Sequence, residues 1–342
     1  MKRFSLKQKI SYSILLLFII TLLIPTPYYI YQPGSVEELG SKVTVEGESH
    51  PTEGNFYLTT VLSMKAVNIY YLAYGYMNSY ADIRKVEQVR GDLTDEEYSL
   101  MLNHYMTSSQ QNAIVAGQRA ANENVRVTPS GVFVANVLEE SDAKNRIYVG
   151  DIIHEIDGQT VETAEQFIEY LSNKQLDDRV RIGVERNGEN FTFEVKLIQL
   201  KNSKNKIGVG ISTENQWNVQ VDKEVKVDAK DIGGPSAGLM FSLQIYNQLK
   251  GEDLTKGYEI AGTGTIDMDG HVGQIGGIRE KVTAVQRGNI DVFFVPKDIN
   301  TYDSNEKDVL DEAKKRGYDL TIVPVATLQE AIDYLQTLPA KE

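Results

Sequence analysis

The spacing of apolar positions divides the chain into segments of different period. Residues 1–9 carry Lys2, Arg3, Lys7 and Lys9 with no acid, and the 27 residues from Ile10 to Val36 carry no formal charge. Within them Ile14 to Ile24 is almost unbroken aliphatic sequence, followed by Pro25, Pro27 and the aromatic group Tyr28, Tyr29 and Tyr31. A membrane-spanning helix needs about 20 mostly apolar residues. Residues 10–31 reach that length when Ser11, Tyr12, Ser13 and the tyrosines occupy the interfacial layers, which suit tyrosine and flanking lysine. A cleaved secretory signal is the competing reading of the short apolar core, but no small-x-small cleavage site follows. The expectation is a cytoplasmic N-terminus at 1–9, a single-pass anchor at 10–31 in the cell membrane, and an extracellular remainder.

Alternation returns from Ser41 to Glu46, and Asn55 to Val61 is rich in β-branched and aromatic residues. These predict two strands joined by the polar region 47–54. Asn68 to Tyr80 has helical spacing and many tyrosines, which predicts amphipathic packing. Thr94 and Glu97 form a capping-box pair that opens a helix running to about Asn122, with Tyr98, Met101, Leu102, Tyr105 and Met106 on one face. Residues 38–124 are expected to be the N-terminal part, in strands and helices, of the domain that residues 206–342 complete.

Residues 125–198 change character. Val132–Val137 and Gly150–Gly158 predict strands, the second closed by an Asp-Gly turn. Thr163–Ser172 predicts a short helix, and a hairpin is predicted around Asn187-Gly188. The G-D-x-I-x-x-I-x-G signature at Gly150–Gly158, with a strand before it and a helix after it, resembles a PDZ domain. That resemblance implies a groove between a strand and the helix, taking an extended peptide by strand addition. Its peptide-binding loop corresponds to Ser130, Gly131, Val132 and Phe133, which depart from the usual Gly-Leu-Gly-Phe. Residues 206–342 alternate strands (207–211, 217–227, 259–266, 292–296, 320–325) with helices (236–249, 278–287, 328–338), an α+β or α/β pattern.

Composition narrows the chemistry. The net charge is −13, and phosphate binding needs a basic face, so nucleic acid is excluded as a partner. Cysteine is absent, which removes disulfides, thiolate zinc sites and cysteine nucleophiles. The four histidines, His50, His104, His154 and His271, form no H-E-x-x-H arrangement. No G-x-x-x-x-G-K-[ST] loop occurs, so ATP hydrolysis is not expected. No metal or other cofactor is called for.

Two segments carry candidate chemistry. In Asp231-Ile-Gly-Gly-Pro-Ser236-Ala-Gly238 glycines crowd one serine ahead of a helix. Such a turn presents the hydroxyl and leaves first-turn amide donors beside it, suited to a tetrahedral oxyanion. A serine cap on a glycine-rich turn is the plainer reading of the same residues. The second segment is Gly273-Gln-Ile-Gly-Gly-Ile-Arg-Glu-Lys281, 45 residues on from Ser236. His271 lies in a hairpin-like turn and is a poor base candidate, and Arg279 does not deprotonate. Lys281 serves if apolar surroundings lower its pKa. Taken alone, it reads as a solvated helix lysine.

Together, G-P-S-A-G and G-G-[IL]-[RK]-E-K in this order resemble the proteolytic domain of Lon proteases over residues 206–342, with Asn55–Val61 similar to the start of the same domain. With the anchor and the PDZ-like insertion, the chain resembles the ATP-independent, membrane-anchored Lon-like serine proteases of Gram-positive bacteria (the SepM or YlbL type). The resemblance implies Ser236 as nucleophile, Lys281 as general base and Thr263 as the residue orienting the lysine, with Gly234, Pro235 and Ala237 supporting the nucleophile. It also implies peptide or envelope-protein substrates, a peptide pheromone among them, and a homo-oligomer. Gly233 stands where many ATP-dependent relatives have aspartate. The alternative from another class is a non-catalytic, anchored PDZ receptor that presents peptides to a different enzyme.

Overall fold

The N-terminal apolar stretch folds as helix α1 (Leu6–Leu22), opened by a capping box between Ser5 and Gln8. In the computed structural model, which describes residues 5–48, 51–200, 206–229 and 232–341, this helix is shorter than the spanning anchor expected over 10–31 and ends before its last residues. Its 17 residues rise about 25 Å, short of a hydrocarbon core of about 30 Å. Pro25 and Pro27 then break the helix. Tyr28 begins strand β1 (Tyr28–Glu38), in which Tyr29 and Ile30 are buried rather than placed at a bilayer boundary. Among the described residues no helix is long and apolar enough to cross a membrane. No residue of α1 is buried.

Strands β2 (Val43–Val45) and β3 (Asn55–Lys65), helix α2 (Ile69–Met77), strand β4 (Asp82–Lys85), and helices α3 (Val86–Arg90) and α4 (Asp95–Ala120) complete the first part. Asn68 caps α2, but its tyrosines do not pack as expected. Gly75 rests on Ile30 and Ile83 and is the only buried residue of α2, Tyr70 packs against Phe18 of α1 with ring centroids 5.2 Å apart, and Tyr76 and Met77 stand 72% and 87% exposed. The Thr94–Glu97 capping box does open α4.

The PDZ-like part comprises β5 (Val125–Val137), β6 (Ile152–Ile156), β7 (Gln159–Thr160), α5 (Ala164–Ser172), β8 (Arg179–Arg186), β9 (Glu189–Lys196), β10 (Ile198–Gln199), β11 (Ile207–Gly208) and β12 (Ile211–Val221). Positive φ at Asp157-Gly158 and Asn187-Gly188 supplies its two tight turns. The sheet order β12-β5-β6-β8-β9 corrects the expected peptide-binding loop. Gly131, Val132 and Phe133 lie inside β5, paired to β12 on one side, and Val132 and Phe133 also pair with β6 on the other. Both apolar side chains are buried, so these residues present no free edge. The edge strands of the sheet are β12 and β9, and sequence spacing places β12 in the following domain. Asn215 on β12 accepts from the Ala164 amide and donates to Glu165, tying the strand to the start of α5.

The remaining elements are β13 (Val225–Val227), α6 (Gly238–Lys250), β14 (Glu259–Gly262), β15 (Thr265–Ile266), β16 (Val272–Gly273), α7 (Ile278–Arg287), β17 (Val292–Pro296), α8 (Asn305–Arg316), β18 (Thr321–Val325) and α9 (Leu328–Thr337). The expected strand at 217–227 is thus two strands, and β13 pairs with β2, so β2 and β3 do not form a hairpin. The second large sheet has the order β18-β17-β14-β3-β1-β4. Its centre is the parallel pair β3 and β14, which joins chain from before and after the PDZ-like part. Helices α4, α6 and α9 share one apolar core with this sheet, while α7 and α8 share another.

Candidate active site

Lys281 is buried because of its position in the helix period. In α7 the apolar residues Ile278, Val282 and Val285 face Ala261 and Phe293 of the sheet, and Lys281 falls on that stripe at i+3 from Ile278. Gly277 starts the helix at φ 76°, where a Cβ would stand 2.8 Å from Val61, so glycine lets the helix approach β3. Lys281 is left 2% exposed. Burial lowers its pKa from 10.5 to about 7.

The turn that carries Ser236 arrives from the other side. Gly234 at φ 88° turns the chain, and Pro235, Ser236 and Ala237 lead into α6. The Ser236 carbonyl accepts from the Gly264 amide at 2.9 Å and from the Thr263 hydroxyl at 3.0 Å. Lys281 Nζ then lies 2.8 Å from Ser236 Oγ, 2.9 Å from Thr263 Oγ1 and 2.9 Å from the Thr59 carbonyl.

This set of partners fixes proton polarity. The Thr59 carbonyl can only accept. Thr263 gives its own proton to the Ser236 carbonyl, so toward Lys281 it also accepts. A neutral amine has two N–H donors and one lone pair. Two donors spent on Thr59 and Thr263 leave the lone pair for the Ser236 hydroxyl. The arrangement can therefore remove a proton from a serine near neutral pH without histidine or metal.

Of the residues singled out from sequence, Ser236, Lys281, Thr263, Gly234, Pro235 and Ala237 converge here. Thr59 was missed, because its contribution is a backbone carbonyl with no side-chain signature. Its own hydroxyl donates to Gly262. His271 is outside the cluster, exposed and paired with Asp267 at 2.8 Å. His50 and Asp231 lie outside the described residues. Gly131, Val132 and Phe133 are not at this site. Instead the Phe133 ring stacks on His104 of α4, with centroids 3.5 Å apart, and burial lowers the His104 pKa to about 4.

Residues 107–197 match the family model of the PDZ domain, and residues 195–337 match that of the Lon protease (S16) C-terminal proteolytic domain. The Lon protease of Azospirillum brasilense is 37% identical over 103 residues, covering 30% of this chain and 12% of the relative. That of Vibrio parahaemolyticus serotype O3:K6 is 28% identical over 141 residues, covering 41% of this chain and 17% of the relative. The chain thus spans less than a fifth of these relatives' lengths. Among solved structures, the PDZ domain of an SdrC-like protein from Listeria monocytogenes is 32% identical, covering 26% of this chain and 92% of that one, with a TM-score of 0.24. The matched proteolytic domain and the Lon protease relatives together support a serine peptidase.

Proposed function

We propose that the chain is an ATP-independent serine endopeptidase acting through Ser236 and Lys281 on peptide or protein substrates. The observation that carries this reading is the buried amine 2.8 Å from the serine hydroxyl, its two other partners being acceptors. Neutral Lys281 takes the Ser236 proton as Oγ attacks the substrate carbonyl. The N–H groups of Ser236 and Ala237 hold the oxyanion. Lys281 returns the proton to the leaving amine, and water, deprotonated by the same lysine, releases the acyl group.

The reading extends to location and delivery. Attachment to a membrane through α1, with the peptidase outside the cell, is supported by a helix that exposes Leu15, Leu16, Leu17, Phe18, Ile19 and Ile20 and buries none of its residues. Substrates are then extracytoplasmic peptides or envelope proteins, of which a pheromone precursor is one class. An extended segment docks along β12, the edge strand of the PDZ-like sheet that lies beside α5. A serine-directed fluorophosphonate applied to the full chain tests the catalytic reading. Labelling is expected, and it is expected to vanish in Ser236→Ala and Lys281→Arg. Equal labelling in folded Lys281→Arg would exclude the dyad, because a guanidinium does not act as a base.

A further inference from the structure

Helix α4 touches the nucleophile turn at a point the dyad does not use. Ser109 on α4 is 2% exposed, and its hydroxyl donates to the Pro235 carbonyl at 2.9 Å. A helical serine ordinarily has an acceptor in its own preceding turn; this one reaches across to another element. Space for it exists because residue 238 is glycine, where a Cβ would stand 3.0 Å from Ser109 Oγ. The same helix accepts from the Gly234 amide through the Leu102 carbonyl at 3.3 Å. Gly117, where a Cβ would meet the Ser242 carbonyl at 2.9 Å, lets α4 lie directly against α6.

The consequence follows from peptide geometry. In a planar trans peptide the carbonyl and the following N–H point in opposite directions. Holding the Pro235 carbonyl toward α4 therefore aims the Ser236 N–H away from α4. The Ser236 carbonyl is held in turn by Thr263 and Gly264, which aims the Ala237 N–H opposite to them. The Pro235 carbonyl also accepts from the Gly238 amide of its own turn at 3.4 Å, so Ser109 supplies the shorter of its two bonds. Two successive peptide planes are thus held, and their N–H groups are the oxyanion donors of the proposed reaction.

We infer that Ser109 is a positioning residue that sets the Pro235–Ser236 peptide plane, and so the oxyanion donor at Ser236. This rests on the serine peptidase reading. Ser109 touches neither substrate nor the lysine, so its loss impairs stabilisation of the tetrahedral state and spares both ground-state binding and the pKa of the base.

The test uses the full chain and a small chromogenic peptide ester, with kcat and KM measured across pH and with affinity for a matching peptide boronate. In Ser109→Ala, kcat is expected to fall about 10- to 100-fold, with boronate affinity falling in step. KM and the pH midpoint are expected to stay in place, and Ser109→Thr, which keeps the hydroxyl, recovers much of the rate. Ser109→Cys, of similar size but a weak donor, replaces the alanine variant if that protein does not fold. An unchanged kcat, or a loss carried by KM with boronate affinity intact, overturns the role of Ser109 alone. Absence of Ser236-dependent hydrolysis in the unsubstituted chain overturns the peptidase reading, and this role with it.

Discussion

Replacing Lys281 with methionine should stabilise the protein, by an amount that depends on pH in a specified direction. The amine titrates at about 7 in the folded chain against a reference of 10.5. That gap corresponds to on the order of 5 kcal/mol of differential interaction between the two protonation states. Between these pH values the unfolded chain holds a proton that the folded chain has released, so stability rises with pH across the window. The penalty is fully present below about pH 7 and is relieved as pH approaches 10.5. Methionine removes it, but leaves the Thr59 carbonyl and the Thr263 hydroxyl without the amine donor, at about 1–3 kcal/mol for each buried polar group and roughly 2–4 kcal/mol for the pair, since Thr263 keeps its bond to the Ser236 carbonyl. The net expectation at pH 6 is a gain of roughly 1–3 kcal/mol. It should shrink steadily and turn into a loss by about pH 9.5. Urea unfolding of Lys281→Met and its parent, both carrying Ser236→Ala to prevent self-cleavage, measures the difference at each pH. A stability difference that stays flat from pH 6 to 9.5 would refute a depressed lysine pKa.

Two further outcomes follow from the same geometry. Thr263→Val removes the acceptor that takes one lysine proton and the donor that holds the Ser236 carbonyl, so kcat should fall about 10²-fold or more. Thr263→Ser should keep most activity, and comparable loss in both variants would show that shape rather than hydrogen bonding matters there. At the PDZ-like sheet, Ile168 is a 59% exposed apolar residue of α5. Ile168→Asp should raise KM for an unstructured protein such as casein while leaving fluorophosphonate labelling unchanged, and unaltered casein cleavage would argue against docking between β12 and α5.

Local signals in the sequence translated well into local structure. The Thr94–Glu97 box opens α4, and the Asp157-Gly158 and Asn187-Gly188 pairs adopt the positive φ values their hairpins need. The apolar residues Ile278, Val282 and Val285 flank Lys281 in the helical period, yet the lysine by itself reads as solvated, and its burial follows only from the packing of α7 against Ala261 and Phe293. What resisted reading was non-local. Nothing in Ile211–Val221 by itself states that it pairs with Val125–Val137, since strand partners are chosen by packing across some 80 residues of chain. The Thr59 carbonyl and the Ser109 hydroxyl gain meaning only when separate elements converge on Ser236. Over residues 10–31 apolar content alone does not mark where the helix stops: Pro25 and Pro27 follow its end, and the tyrosines beyond them enter a sheet.

The central claim is that a neutral Lys281 activates Ser236, and the rate of fluorophosphonate labelling as a function of pH tests it most directly. The second-order rate should rise with pH through a single midpoint near 7, the folded-state value for the buried amine, and level off above it. The profile should disappear in Lys281→Arg and in Ser236→Ala. A rate that keeps climbing toward the ordinary lysine pKa of about 10.4, or a midpoint near 7 that persists when Lys281 is replaced, would contradict the claim.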